Sequence, residues 1–261
     1  MLFSRKKHIF DDLGRELRLE VLEMIYKNGG HIGGCLSSID MMIGVYFSDI
    51  FDLKKDKFIL SAGHWAPALD AVLAESGFFD KKLLEDIGEF GSKLQGHVNT
   101  ETPGVEYSSG SLGQGLAFAL GEAMGDRSKN IICMTSDGEQ NEGMIWETVN
   151  VANKYQLNNL INIVDVNGMQ IDGSTDEIMP LLSLQKKYEA SGWMVIKING
   201  HNYFEIVKAL EQAKKSKYPC TILAETILGK GIKEMEGKYQ YHDVKKLDEE
   251  VYKKAKEELS K

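Results

Sequence analysis

The sequence predicts an α/β fold: one doubly wound, mostly parallel sheet with helices on both faces. Short apolar runs at 130–135, 160–166, 193–198 and 220–226 alternate with segments whose apolar residues recur at helical spacing. That is the pattern of strands covered on both sides. Two of these runs are closed by an oxygen-bearing side chain, Asp137 after the first and Asn167 after the second, thirty residues apart. Neighbouring parallel strands would bring both to the crevice at the strands' carboxyl ends, where open α/β sheets bind ligands. No repeat and no low-complexity linker interrupts the chain, so residues 1–261 read as a single domain.

Taken in order, the first helix is predicted over 11–27. Leu13, Leu17, Val21, Met24 and Ile25 share one face, and Asn28-Gly29-Gly30 ends it. Gly33 to Ser37 reads as a loop, with Ser37 or Ser38 capping a second helix through Phe47 and Asp40 in its first turn. A strand is expected over 58–61, then a helix opening at Gly63-His64 and running to about Glu75. Residues 91–109 are polar and loop-like, with Pro103-Gly104 as a turn.

A helix over 111–124 carries Gly113, Gly115 and Gly121. Each glycine inside a helix costs ~1 kcal/mol, so together they imply tight packing or backbone amides facing a ligand. Beyond strand 130–135 come helix 142–155, strand 160–166, strand 193–198, helix 203–216 with Asn202 as its N-cap, and strand 220–226. The densely charged segment 243–261 places Val244, Leu247, Val251, Ala255 and Leu259 near one face and predicts a solvated terminal helix.

Composition excludes several function classes. The formal charge is −8, a field that gathers neither nucleic acid nor anionic membrane. No run approaches the ~20 apolar residues of a membrane span, and no apolar stretch follows the basic Ser4-Arg5-Lys6-Lys7, so no signal peptide is expected. Cys35, Cys133 and Cys220 have no CxxC spacing. Two of them sit in apolar strand-like runs, which fits free thiols and a cytoplasmic location.

A carboxylate from Asp137, an amide oxygen from Asn167 and a nearby backbone carbonyl make a hard oxygen set. Mg²⁺ prefers such ligands and usually takes the rest from phosphate and water. Asp and Asn are also common caps and turn residues, so local pattern alone leaves both readings open.

Wider motifs point one way. Asp137-Gly138, Glu142-Gly143, Trp146-Glu147 and the run from Asp165 to Gly173 resemble the thiamine-diphosphate motif of transketolases. Gly30-His31-Ile32-Gly33-Gly34, the stretch from Phe58 to Leu69, Gly96-His97, the stretch from Pro103 to Gly115, and Gly229-Lys230-Gly231 through His242 are similar to further motifs of that family, in order, over about residues 11–243.

The resemblance implies a thiamine-diphosphate-binding fold. Asp137, Asn167 and the Met169 carbonyl would hold Mg²⁺, with Ca²⁺ or Mn²⁺ as substitutes. Ser111, Leu112, Gly113, Ser136, Asp137, Gly138, Glu139, Asn167 and His64 would contact the cofactor. His31, His64, His97 and His242 would serve the reaction as hydrogen-bond donors and proton carriers. Glu142 would join a carboxylate network between paired active sites. His201 and His8 are read as structural and unassigned, respectively.

Departures from the pattern are Ser136 for the first Gly of GDG, Ala62 for a common Lys, Val98 for a usual Pro, and Asp243 for the Gly after His242. The resemblance further implies half of an active site. A separate pyrimidine-binding and C-terminal transketolase subunit would complete it in an α2β2 assembly, acting on sugar phosphates by two-carbon ketol transfer. The alternatives are a subunit of a pyruvate-dependent synthase, a subunit of a 2-oxo-acid dehydrogenase, and a non-catalytic scaffold.

Overall fold

The computed structural model describes residues 2–261, with side chains from His8 onward; the Ser4-Arg5-Lys6-Lys7 side chains lie outside the described residues. Five strands, β1 (Lys57–Leu60), β2 (Ile131–Ser136), β3 (Leu160–Val166), β6 (Met194–Asn199) and β7 (Cys220–Glu225), form one parallel sheet in the order β1-β2-β3-β7-β6. A short antiparallel hairpin, β4 (Met169–Gln170) with β5 (Gly173–Ser174), stands just beyond β3.

Successive strand side chains point to opposite faces, and the two faces build separate cores. Ile132, Met134, Ile161, Ile163 and Ile222 pack beneath α1 (Leu2–Asn28), α2 (Ile32–Phe47), α3 (Ala66–Glu75) and α8 (Tyr203–Lys214). Ile131, Cys133 and Leu160 pack beneath α4 (Gln114–Gly125), α5 (Gly143–Lys154) and α7 (Leu184–Ala190). The single-turn α6 (Thr175–Ile178) follows the hairpin, and α9 (Glu249–Leu259) lies on α1. Continuous apolar strands thus become a sheet covered on both sides, as expected.

Several boundaries differ. α1 begins at Leu2 rather than Asp11. α2 begins at Ile32, so Gly33 to Ser37 is helix and not loop. Ser37 and Ser38 are not caps: both are fully buried, and their hydroxyls bond to Gly34 O and Cys35 O one turn back. Asp40 is therefore mid-helix, accepting from Arg18 at 2.8 Å and meeting His201 Nδ1 at 2.6 Å. The helix expected from Gly63 starts as a 3-10 turn, Gly63–Trp65, before α3.

The glycine-rich helix begins at Gln114, with Gly113 as its N-cap at φ 85°. A Cβ on Gly115 would lie 2.5 Å from Ser61, so that glycine does mark close packing, but Gly121 is exposed with nothing within 4 Å of its Cβ position. The terminal helix starts at Glu249, not 243. Val244 instead forms an isolated bridge with Gly30, while Leu247, Ala255 and Leu259 are buried.

Candidate active site

β2 and β3 end level, with Ser136 opposite Asp165. The Asp137 amide extends the ladder by donating to Asp165 O at 3.1 Å. The Asp137 carboxylate is 1% exposed. It accepts from the Gly138 amide at 2.7 Å and, across the strand ends, from the Gly168 amide at 2.7 Å. Burial first, and then the neighbouring Asp165, push the Asp137 carboxyl up to about 7 against those donors. Asn167 donates its amide Nδ2–H to Asp165 at 2.7 Å and accepts the Met169 amide on Oδ1 at 3.0 Å. That network assigns the amide orientation: nitrogen inward, oxygen on the side of the Met169 turn.

Asp165 organises this arrangement. It is fully buried and accepts from Ser37 at 2.8 Å, Asn167 at 2.7 Å and Thr226 at 2.6 Å. Burial raises its pKa, and the Thr226, Asn167 and Ser37 donors oppose the rise. In the sequence Asp165 stands only as one member of a motif. Its one signal there is a charged residue inside a mostly apolar strand.

Beside this oxygen set lies a cavity of about 490 Å³ lined by His31, His64, Trp65, His97, Leu112, Ser136, Asp137, Gly138, Glu142, Asn167, Met169 and His242, among others. Four separate segments supply its imidazoles. His31 stands at the N-cap position of α2 and His64 in the turn after β1. His97 is drawn in because the Val98 amide donates to Gly63 O at 3.1 Å. His242 arrives on a strap whose Gly229 amide donates to Gly33 O at 2.9 Å.

The His31 ring centroid lies 4.8, 5.9 and 5.7 Å from those of His64, His97 and His242. Among the described residues no ring nitrogen of the four is hydrogen-bonded, and Nδ1 of His242 is buried without a partner. Burial, reinforced by the other imidazoles, holds His64 well below the usual histidine range and lowers His242 to about 4. Burial also lowers His31, against the pull of Asp243. His31, His64 and His242 are therefore neutral near pH 7, each with one donor and one acceptor.

Not every predicted site residue lines the cavity. Ser111 and Gly113 do not. Glu139 lies beneath it, fully buried, accepting from the Ser61 hydroxyl, from the Gly113 amide at 2.6 Å and from the Ser136 amide at 3.2 Å. It ties the start of α4 to the strand ends. Glu142 is at the cavity's exposed edge, at the N-cap position of α5. Ser136 needs no glycine conformation: it continues β2, and its hydroxyl accepts the Glu139 amide at 3.2 Å. His201 is structural, set between Asp40 and the Ile227 amide, which donates to Nε2 at 2.9 Å. Trp65, fully buried with its indole N–H unpartnered, and Gln170 are further cavity residues that no sequence pattern singles out.

Three features bear on whether a metal-bound diphosphate fits. The donors are oxygens only. Asp137 and Asp165 place two carboxyls together in a buried region, and among the described residues no Lys or Arg acts on either. Among the described residues no three His, Cys, Asp or Glu side chains are grouped to hold a metal, so any ion there needs ligands from elsewhere. The oxygen donors and the paired carboxyls match the chemistry of Mg²⁺, which takes its remaining ligands from phosphate and water.

Comparison with known proteins shows the family. A family model described as transketolase, thiamine diphosphate binding domain, matches residues 12–260. The chain is 42% identical over 260 residues to the 6-deoxy-6-sulfo-D-fructose transketolase subunit SqwG of Clostridium sp. (strain MSTE9), covering 94% of each. It is 37% identical over 240 residues to an apulose-4-phosphate transketolase subunit of Phocaeicola vulgatus, covering 86% of this chain and 85% of that one. Against the crystal structure of transketolase from Campylobacter jejuni, the TM-score is 0.89 at 35% identity, over 97% of this chain and 43% of that one.

Proposed function

The chain belongs to the transketolase family, and on that premise we propose that it is the N-terminal subunit of a two-chain transketolase. It binds Mg²⁺ and thiamine diphosphate for two-carbon ketol transfer between sugar phosphates. The observation that carries this reading is the cavity itself, where Asp137, Asn167 and Met169 line the same space as four imidazoles whose ring nitrogens make no hydrogen bond among the described residues.

The clamp residues would hold the ion, with Ca²⁺ or Mn²⁺ as substitutes, and Ser136 and Gly138 would lie against the diphosphate. The chemistry that thiamine diphosphate supplies when bound is a nucleophilic carbon for a carbonyl group. The chain's own part is orientation and proton handling. His31, His64 and His242 in their neutral form, and His97 beside them, accept a proton from a sugar hydroxyl or donate one to a carbonyl oxygen. The metal also gives an acidic chain its attraction for an anionic cofactor.

A partner subunit bearing the pyrimidine-binding and C-terminal domains completes the site. Two relatives of matching length are themselves named as subunits, whereas this chain spans 43% of the C. jejuni transketolase. Glu142, at the open edge of the cavity, would then face a second copy within an α2β2 assembly. Among the described residues no helix is long and apolar enough to cross a membrane, and a cytoplasmic site suits three buried free cysteines.

Copurification with the partner followed by a ketol-transfer assay tests the reading. The pair should be active, this chain alone inactive, and Asp137→Ala should lose Mg²⁺-dependent cofactor uptake. Undiminished uptake in that variant would refute the clamp.

A further inference from the structure

His242 and Asp243 arrive at the cavity on one strap, and the strap is locked in register. The Gly30 amide donates to Val244 O at 2.8 Å and the Val244 amide donates back to Gly30 O at 2.9 Å. In an antiparallel bridge between Gly30 and Val244, the residues one step beyond, His31 and Asp243, stand opposite each other. Gly29 tightens the junction, because a Cβ there would lie 2.6 Å from Lys245 O.

The Asp243 carboxylate is consequently held 4.0 Å from His31 Nδ1. Among the described residues it makes no hydrogen bond elsewhere, so a small side-chain rotation brings it onto that nitrogen and breaks nothing. The other titratable groups against the His31 ring are His64, His97 and His242. Asp243 is the one anion of the set.

A neutral imidazole such as His31 can carry its proton on either ring nitrogen. A carboxylate accepts hydrogen bonds and donates none when ionised, so it selects the tautomer with the proton facing it. We propose that Asp243 is a positioning residue for His31: its carboxylate takes Nδ1–H, and Nε2 is left as the acceptor for a hydroxyl of the sugar substrate. This rests on the ketol-transfer reading for the identity of the hydroxyl, though not for the tautomer. It also gives a role to the Asp that replaces the family's Gly after His242.

Two readouts separate those parts. Imidazole ¹⁵N spectra of the full chain near neutral pH should show His31 protonated at Nδ1. Asp243→Ala should shift the proton to Nε2, and Asp243→Glu should keep it on Nδ1. In the copurified pair, Asp243→Ala should lower kcat/KM for ketol transfer roughly 10- to 100-fold, the range found when the carboxylate partner of a metal-bound histidine is removed. Asp243→Glu should recover most of that loss.

The acid limb of the pH profile should move to lower pH in Asp243→Ala and Asp243→Asn, since the anion that favours the imidazolium is gone. A wild-type His31 protonated at Nε2, or nitrogen shifts unchanged in Asp243→Ala, overturns the proposal. A pair with no ketol transfer but with the expected ¹⁵N shifts overturns the functional reading and supports the positioning.

Discussion

Replacing Asp165 tests how the clamp is built, and the geometry sets different costs for two substitutions. Its Oδ2 accepts from Ser37 and Asn167, and its Oδ1 from Thr226. In Asp165→Asn the amide oxygen can still take Ser37 and Asn167, while the new NH₂ faces the Thr226 hydroxyl, which can turn and accept. The count of hydrogen bonds survives and only charge assistance is lost, so stability should fall by no more than about 1.5 kcal/mol.

Asp165→Leu conserves shape but removes every acceptor. Ser37 has a second acceptor in Gly34 O at 3.0 Å, which leaves the half-buried Asn167 amide and Thr226 hydroxyl without their acceptor. At about 1–3 kcal/mol for each unsatisfied group, the loss is about 2–6 kcal/mol. Asn167 would also lose the bond that turns its oxygen outward, so Mg²⁺-dependent thiamine diphosphate affinity should drop roughly tenfold or more. Urea denaturation of the chain and calorimetric titration of the pair measure the two effects. A Leu variant within about 0.5 kcal/mol of wild type, or an Asn variant as damaged as the Leu variant, would refute the reasoning.

The remaining predictions concern charge and packing. Asp137 has a folded-state pKa raised to about 7 against roughly 3.9 unfolded. Its contribution is thus fully present below about pH 4 and is lost as pH rises toward 7. Denaturation of the metal-free chain should lose stability more steeply over that window than Asp137→Asn does, the gap approaching about 4 kcal/mol; parallel pH profiles would contradict the assignment. Gly34→Ala would set a Cβ 2.0 Å from Nε1 of Trp65, a buried ring. It should cost about 1–3 kcal/mol and shift the indole fluorescence, and an unperturbed spectrum at wild-type stability would exclude that contact.

Much of the architecture is legible in the sequence because period and termination are local properties. The apolar run 160–166 coincides with β3, and Tyr203 opens α8 behind Asn202, which accepts from the Phe204 amide at 3.1 Å. At the start of α2 tertiary packing overrides the local signal. Its Gly-Gly-Cys-Leu-Ser start looks like a loop closed by a serine cap. Yet the helix is buried from Ile32 to Val45, and burial compels those backbone groups to bond within it. β4, β5 and α6, with two to four residues each, are too short to carry a period.

At the site the division is similar. Sequence alone determined that Asp137 and Asn167 close two strands, because an apolar run ends where its polar cap begins. Parallel pairing then had to set them side by side. It also determined which histidines stand in motif contexts. Only the tertiary structure decided that His31, His64, His97 and His242 share one cavity, since hydrogen bonds from a distant loop and strap draw in His97 and His242. It alone turned Glu139 inward and gave Asp165 its partners, Ser37 and Thr226, which lie 128 and 61 residues away. A carboxylate's role is set by the donors that meet it, and those donors come from segments that no local pattern connects.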